Sequence, residues 1–202
     1  MSVEVIVLKD GYSRWKDKPR SMLANGTSTL IRLSDGKNFL IDTLGPWDKD
    51  DLVDRLHRQN LSPENIHLLI GTHMHTDHIG NLNLFTSCPQ IISDQRCFGD
   101  FFEFDIFGSN KHLTLAKDVD LISTPGHTPN DVSIICRNVD RLGTVAIVGD
   151  LFESKNDLED ERIWIDAGSF DSNQQRINRQ YILSEADFIV PGHGPMFKVD
   201  RS

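Results

Sequence analysis

At 202 residues, with 38% hydrophobic and 25% charged side chains, the chain fits a single domain spanning 1–202 that is large enough to bury a substantial core. A formal charge of −9 argues against broad adhesion to nucleic acid through a basic face, without excluding a nucleic-acid substrate. No apolar stretch approaches a membrane span, the first residues are too short and acidic for a signal peptide, and three cysteines without a pairing pattern suit a reducing compartment; the expected location is the cytosol, with nuclear entry left open.

In chain order, residues 3–8 read as a strand. Residues 11–22 read as an irregular stretch bordering a pocket. Their Arg14, Lys16, Lys18 and Arg20 form the marked basic cluster, suited to contact an anionic substrate and equally to stand in water as a solvated loop. Strands follow over 27–33 and 38–42, joined by the hairpin signal Ser34-Asp35-Gly36, with the imperfect alternation expected of strands covered on one face. Leu52, Val53 and Leu56 at helical spacing predict a helix over 51–60 outside the sheet. The turn Ser62-Pro63-Glu64 returns the chain to a buried strand ending at Gly71, after which 79–85 can start a helix. Further strands are expected over 89–93, 120–123, 132–136 and 144–148. The aromatic-rich 98–107 can form a pocket wall, a dimer contact or a base-stacking platform; its three acids put a dimer or core role ahead of stacking. Over 173–186 a helix presents Ile177, Tyr181, Ile182 and Ala186 as one apolar stripe, and a strand over 188–190 follows.

Chemistry concentrates in Thr72-His73-Met74-His75-Thr76-Asp77-His78, three imidazoles and a carboxylate in one short turn. His73 and His75 leave a strand end two residues apart, point the same way and can share one metal. Asp77 and His78 are adjacent, must diverge, and suit a second metal. His127 in Thr124-Pro-Gly-His-Thr128 completes the first site, His193 in Pro191-Gly-His-Gly-Pro195 the second, and Asp150 is placed to bridge both. A lone histidine beside a strand is more often structural. Here five of eight histidines fall in turns at strand ends, where loops carry function, while His57, His67 and His112 receive no role. Imidazole and carboxylate without thiolate favour two zinc ions per chain, with iron or manganese also suited. Cys88, Cys97 and Cys136 lack paired ligand spacing and read as buried or free thiols. Asp42, at the end of Phe39-Leu-Ile-Asp, is a candidate to hold a ligand histidine from behind; an ordinary strand-end turn is the competing explanation.

His73-x-His75-x-Asp77-His78, followed by His127, Asp150 and His193, resembles the metallo-β-lactamase superfamily through nearly the whole chain. Asp150 stands where the commonest zinc β-lactamases place a cysteine, so the resemblance is to the glyoxalase II-like branch. It implies an α/β fold, the four-layer αββα sandwich, with strands interleaved with peripheral helices. Residues 71–85, 124–133, 149–153 and 190–199 further resemble a small family within it, described as homodimeric zinc-dependent endoribonucleases that cut the 3′ end of histone pre-mRNA. That resemblance implies RNA as substrate and a homodimer.

Two metals sharing a water give a hydroxide nucleophile without a catalytic serine, and Asp77 is the candidate to orient the water and shuttle its proton. Two ions, two aspartates and a hydroxide leave the pocket formally positive, so an anion can enter an acidic protein. A glyoxalase II-like thioester hydrolase, acting on a small-molecule thioester, is the main alternative; against it, no room is expected after the last ligand for a helical glutathione-binding region. A mononuclear iron persulfide dioxygenase comes third. A binding protein with a vestigial site is disfavoured because no ligand is missing.

Overall fold

The computed structural model describes residues 3–200. In chain order the elements are β1 (Glu4–Lys9), β2 (Tyr12–Asp17), β3 (Ser21–Asn25), β4 (Ser28–Arg32), β5 (Asn38–Ile41), α1 (Lys49–Arg58), β6 (Leu68–Gly71), β7 (Gln90–Ile92), β8 (Gln95–Phe98) and β9 (Phe101–Glu103). The second half contains β10 (His112–Ala116), β11 (Val119–Ser123), β12 (Val132–Val139), β13 (Gly143–Ile147), α2 (Arg162–Asp166), α3 (Ser172–Glu185), β14 (Phe188–Val190) and β15 (Phe197–Lys198). One sheet has the order β1-β4-β5-β6-β7-β8-β9, the other β10-β11-β12-β13-β14-β15, and β2-β3 form a separate hairpin.

Period-two side-chain alternation explains how these strands make four layers. Ile31, Ile41 and Ile70 enter the central core with Ile134, Val145 and Val190 of the second sheet. Their neighbours Leu30, Leu40 and Leu69 face the other way, onto Leu52 and Leu56 of α1. On the far side Ile135, Ala146 and Ile189 pack against Ile182 of α3. The layers are therefore α1, sheet, sheet, α3. Leu52 and Leu56 are fully buried, each contributing about 1.5–3 kcal/mol. Both faces of each sheet are covered, rather than one, which is why the strands read as near-continuous apolar runs. Cys88 and Cys136 fill core positions.

Several local expectations are corrected. Residues 11–22 are not irregular: β2 and β3 pair antiparallel from Tyr12–Asn25 to Asp17–Ser21. Both faces of this hairpin carry exposed residues, so it lacks the apolar alternation that marks a buried strand. Residues 79–85 form only one 3-10 turn, Leu82–Leu84. Gly80 N–H donates to Leu44 O, and the Asn81 amide to Thr43 O and Gly45 O, tying the segment to the neighbouring loop. A Cβ on Gly80 would lie 2.3 Å from Pro46 N.

The stripe on α3 differs too. Ile177 is 59% exposed, and the buried residues are Gln175, Asn178, Arg179 and Ile182. The polar ones face carbonyls of loops instead of an apolar sheet. Segment 98–107 is an edge hairpin leaving Phe98, Phe101, Phe102 and Phe104 exposed, while Phe107 enters the core. Among the described residues, no helix is long and apolar enough to cross a membrane.

Candidate metal centre

Five strand ends deliver the site. β5 ends at Asp42, β6 at the turn of residues 72–78, β11 at the turn carrying His127, β13 at Asp150 and β14 at the turn carrying His193. In the first sheet β5 and β6 are parallel. In the second, β11 and β13 both run antiparallel to β12, and β14 is parallel to β13. All five C-terminal ends thus open on one edge of the sandwich, and Val132 N–H donating to Thr72 O joins the two sheets there.

The turns bring together two donor groups that can each hold a metal ion: His73, His75, His127 and Asp150 in one, and Asp77, His78 and His193 in the other. His75 Nδ1 and His127 Nε2 are 3.1 Å apart, and Asp150 Oδ2 is 3.4 Å from His127 Nε2 and 3.6 Å from His73 Nε2. In the second group Asp77 Oδ2 lies 3.7 Å from His193 Nε2 and 3.9 Å from His78 Nε2. Asp150 spans both, with Oδ1 at 3.0 Å from His78 Nε2 and Oδ2 at 3.1 Å from His193 Nε2. His73 Nε2 is buried without a hydrogen-bond partner, and His78 Nε2 and Asp150 Oδ1, though 3.0 Å apart, lack hydrogen-bond geometry toward each other. Polar atoms left this way are costly in protein alone. Cations among them satisfy all three, so the residues present fit a two-ion centre.

The remaining ring nitrogens are held from behind, which fixes ring orientation. His78 Nδ1 lies 2.7 Å from Asp42 Oδ2, and Asp42 also accepts Thr72 N–H and Thr72 O–H. Asp42 itself adopts a left-handed backbone, φ 58, a conformation costing about 1–3 kcal/mol that a packed site retains. His193 Nδ1 donates to Asn25 O. The His127 turn is closed by Asp131, which accepts Thr128 N–H and Thr128 O–H. At Gly192 a Cβ would come within 1.9 Å of Asp150 Oδ1, so no side chain fits there. Replacing Asp42 with alanine frees the His78 ring and should weaken ion affinity at the second position by about 10–100-fold. Chelator competition reads this, and unchanged affinity would contradict the supporting role of Asp42.

Electrostatics in the metal-free site follow from burial and from Asp150. Burial alone would lower His78 and His193; the Asp150 carboxylate outweighs it, raising His78 well above its usual value and His193 to about 9. Burial and the surrounding imidazoles lower His73. Burial would raise Asp150, but His193, His78 and His73 hold it well below the carboxylate range. Between pH 6.5 and 9 the folded metal-free protein therefore keeps a proton on His193 that the unfolded chain has lost. Stability should fall across that window by about 1.4 kcal/mol per pH unit for each such proton. His78 acts in the same direction. Melting temperatures of metal-free protein should drop from pH 6.5 to 9 and those of zinc-loaded protein should not, because ions displace these protons. A flat or rising metal-free curve would overturn this assignment.

Around the cluster is a pit of about 90 Å³ lined by Met22, Asp77, Asp150, Glu153 and His193, among others. Beside it, Arg14 and Lys18 line a cavity of about 280 Å³ together with Trp15, Arg162 and Asp166. Lys18 pairs with Asp166. Lys16 and Arg20 stand exposed on the hairpin outside that cavity. On the other flank, Tyr12, Met22, Trp47 and Asp77 border a cavity of about 530 Å³.

Sequence reasoning gave no role to Glu153, although it stands three residues after Asp150. The intervening 3-10 turn, Gly149–Leu151, repeats every three residues and returns it to the pit. It also missed the polar face of α3. From there the Gln175 amide donates to Asp150 O and Leu151 O, the Asn178 amide to Pro125 O, and Arg179 to Leu151 O and Asp157.

A family profile described as the metallo-beta-lactamase superfamily matches residues 23–90. Metallo-beta-lactamase domain-containing protein 1 of Xenopus laevis is 37% identical over 198 residues, covering 96% of this chain and 81% of the relative. The Homo sapiens protein of the same name is 35% identical, with 98% and 82% covered. A solved N-acyl homoserine lactone hydrolase, with its product N-hexanoyl-L-homoserine bound at the catalytic metal center, matches with TM-score 0.68 across 96% of this chain and 94% of its own; at 18% identity this likeness concerns the fold. The αββα layers, the shared donor groups and near-full-length relatives above 30% identity lead to one conclusion: the chain belongs to the metallo-beta-lactamase superfamily.

Proposed function

We propose that the protein is a dinuclear zinc hydrolase acting as an endoribonuclease on RNA phosphodiester bonds. The observation that carries the two-ion part is Asp150, whose two oxygens reach histidines of both donor groups. Zinc suits a donor set of imidazole and carboxylate without thiolate. When bound, the ions supply a hydroxide nucleophile near neutral pH and polarise the scissile group. Asp77 is the partly exposed carboxylate of the cluster, with 24% side-chain exposure, so it can reach both the second position and an entering substrate. With ions bound, Asp77 would orient the attacking water and take up its proton. His73, His78 and His193 are buried and serve as fixed donors, and the rings stay oriented through Asp42 and Asn25.

The RNA part rests on the resemblance of the motif flanks, residues 71–85, 124–133, 149–153 and 190–199, to the small endoribonuclease-like family. Arg14 and Lys18 beside the pit supply cations for adjacent phosphates. Zinc-loaded protein incubated with single-stranded RNA and, separately, with an acyl-glutathione is the deciding experiment. RNA cleavage abolished by a chelator, with binding that weakens as salt rises, supports the proposal. Efficient thioester turnover without RNA cleavage replaces it with a glyoxalase II-like activity, and one iron per chain replaces it with dioxygenase chemistry.

The homodimer is proposed on the same footing. Phe98, Phe101, Phe102 and Phe104 are 53–67% exposed along one sheet edge, an apolar surface of the kind that monomers rarely leave uncovered. Light scattering should return twice the 22.9 kDa chain mass. Phe101→Ser with Phe102→Ser should shift it toward the monomer; a wild-type monomer would refute the dimer.

A further inference from the structure

Glu153 is 2% exposed and lines the pit, yet neither donor group of the two-ion reading includes it. Its Oε2 is 4.0 Å from His193 Nε2, and its carboxyl, Asp150 and His193 lie within ligand range of one another. Its backbone is clamped, with N–H donating to Asp157 Oδ2 and O accepting His193 N–H. Among the described residues no lysine or arginine pairs with it; His193 does. A carboxylate buried beside a second carboxylate is costly unless a cation is near. A divalent ion at the Asp77–His78–His193 position supplies that charge.

The second link is to the β2–β3 hairpin. Ser13 Oγ donates to Glu153 Oε2 at 2.9 Å, across 140 residues of sequence. The hairpin joins neither large sheet. At its root, Gly26 N–H donates to Asp77 O, and Asn25 O accepts from His193. Ser13 fastens it again, further along β2, to a residue that faces the same ion position.

We propose that Glu153 is a positioning residue of the second metal position, strengthening ion binding there, and that the Ser13–Glu153 hydrogen bond couples ion occupancy to the placement of the hairpin bearing Arg14 and Lys18. An ion fixes the carboxylate, and a fixed carboxylate makes a stronger, charge-assisted bond to the serine hydroxyl. By linkage, a seated hairpin holds Glu153 in place for the ion. The proposal rests on the two-ion reading, and its test separates the two.

Zinc is titrated against a competing chelator into wild-type protein, Glu153→Gln and Ser13→Ala, and hydrogen exchange over residues 12–25 is followed with and without zinc. Wild type binding fewer than two ions would overturn the two-ion reading and the proposal with it. With two ions bound, Glu153→Gln should weaken the second by about 10-fold and leave the first unchanged. Wild-type hairpin amides should gain protection on zinc binding, and both variants should lose that zinc-dependent gain. A merely structural role would lower protection equally with and without zinc. Wild-type affinity for both ions in Glu153→Gln, or hairpin exchange that ignores zinc in the wild type, overturns the proposal. Should Glu153→Gln fail to fold, Ser13→Ala carries the test through the exchange difference.

Discussion

Asp150→Ala is expected to strip at least one of the two proposed ions and to lower turnover by more than about 100-fold, beyond the 10–100-fold typical of residues that support ligands from behind. Asp150 is the anion shared by His73, His78, His127 and His193, all within 3.0–3.6 Å of its oxygens. Its removal leaves four buried imidazoles around a void without a counter-charge, so a divalent ion loses a ligand and the charge that offset its desolvation. Asp150→Asn separates those effects by keeping shape and one oxygen while removing the charge. It should retain more metal than alanine and less than wild type. Elemental analysis beside turnover reads both variants; two ions and full activity in Asp150→Ala would refute the bridging role.

The grouping of these donors is legible in the sequence because strand ends and short turns are local features. His73 and His75 lie within four residues of Gly71, and His127 and His193 each sit in a Pro-Gly-His turn, so their grouping needs only that the turns share one edge. The layering is legible as well, although strands covered on both faces read as half-covered. What stayed hidden lies on the polar partners of those turns. Gln175, Asn178 and Arg179 read as the solvent face of a helix, yet they are buried because α3 packs its first half on carbonyls of the Asp150 and His127 loops. Pairing across 22 to 53 residues leaves no local signature. The β2–β3 hairpin escaped for a related reason: it is held at its root, by Ser13 and by the Lys18–Asp166 pair, and its strands bury no continuous apolar face.

The same hidden face yields the largest stability effect. The Arg179–Asp157 pair is almost wholly enclosed, with side chains 7% and 0% exposed, and the guanidinium lies 3.9 Å from the Phe152 ring centroid and 4.9 Å from that of Trp164. Removing one partner of such a pair costs about 3–5 kcal/mol, since the other charge stays buried and uncompensated. Arg179→Met should therefore destabilise the protein by that amount in denaturant unfolding, with loss of the donor to Leu151 O included. Burial already pushes Asp157 upward, and without arginine it drifts from Glu153 N–H, whose acceptor it is. Because Glu153 O holds His193 N–H, the damage should reach the second ion position and lower zinc affinity there more than at the first. Adding Asp157→Asn removes the stranded charge while keeping an acceptor for Glu153, so the double variant should recover part of the stability and most of the zinc binding. A loss under about 1 kcal/mol in Arg179→Met, the range typical of exposed ion pairs, would show that the pair does not support the loop of residues 150–157.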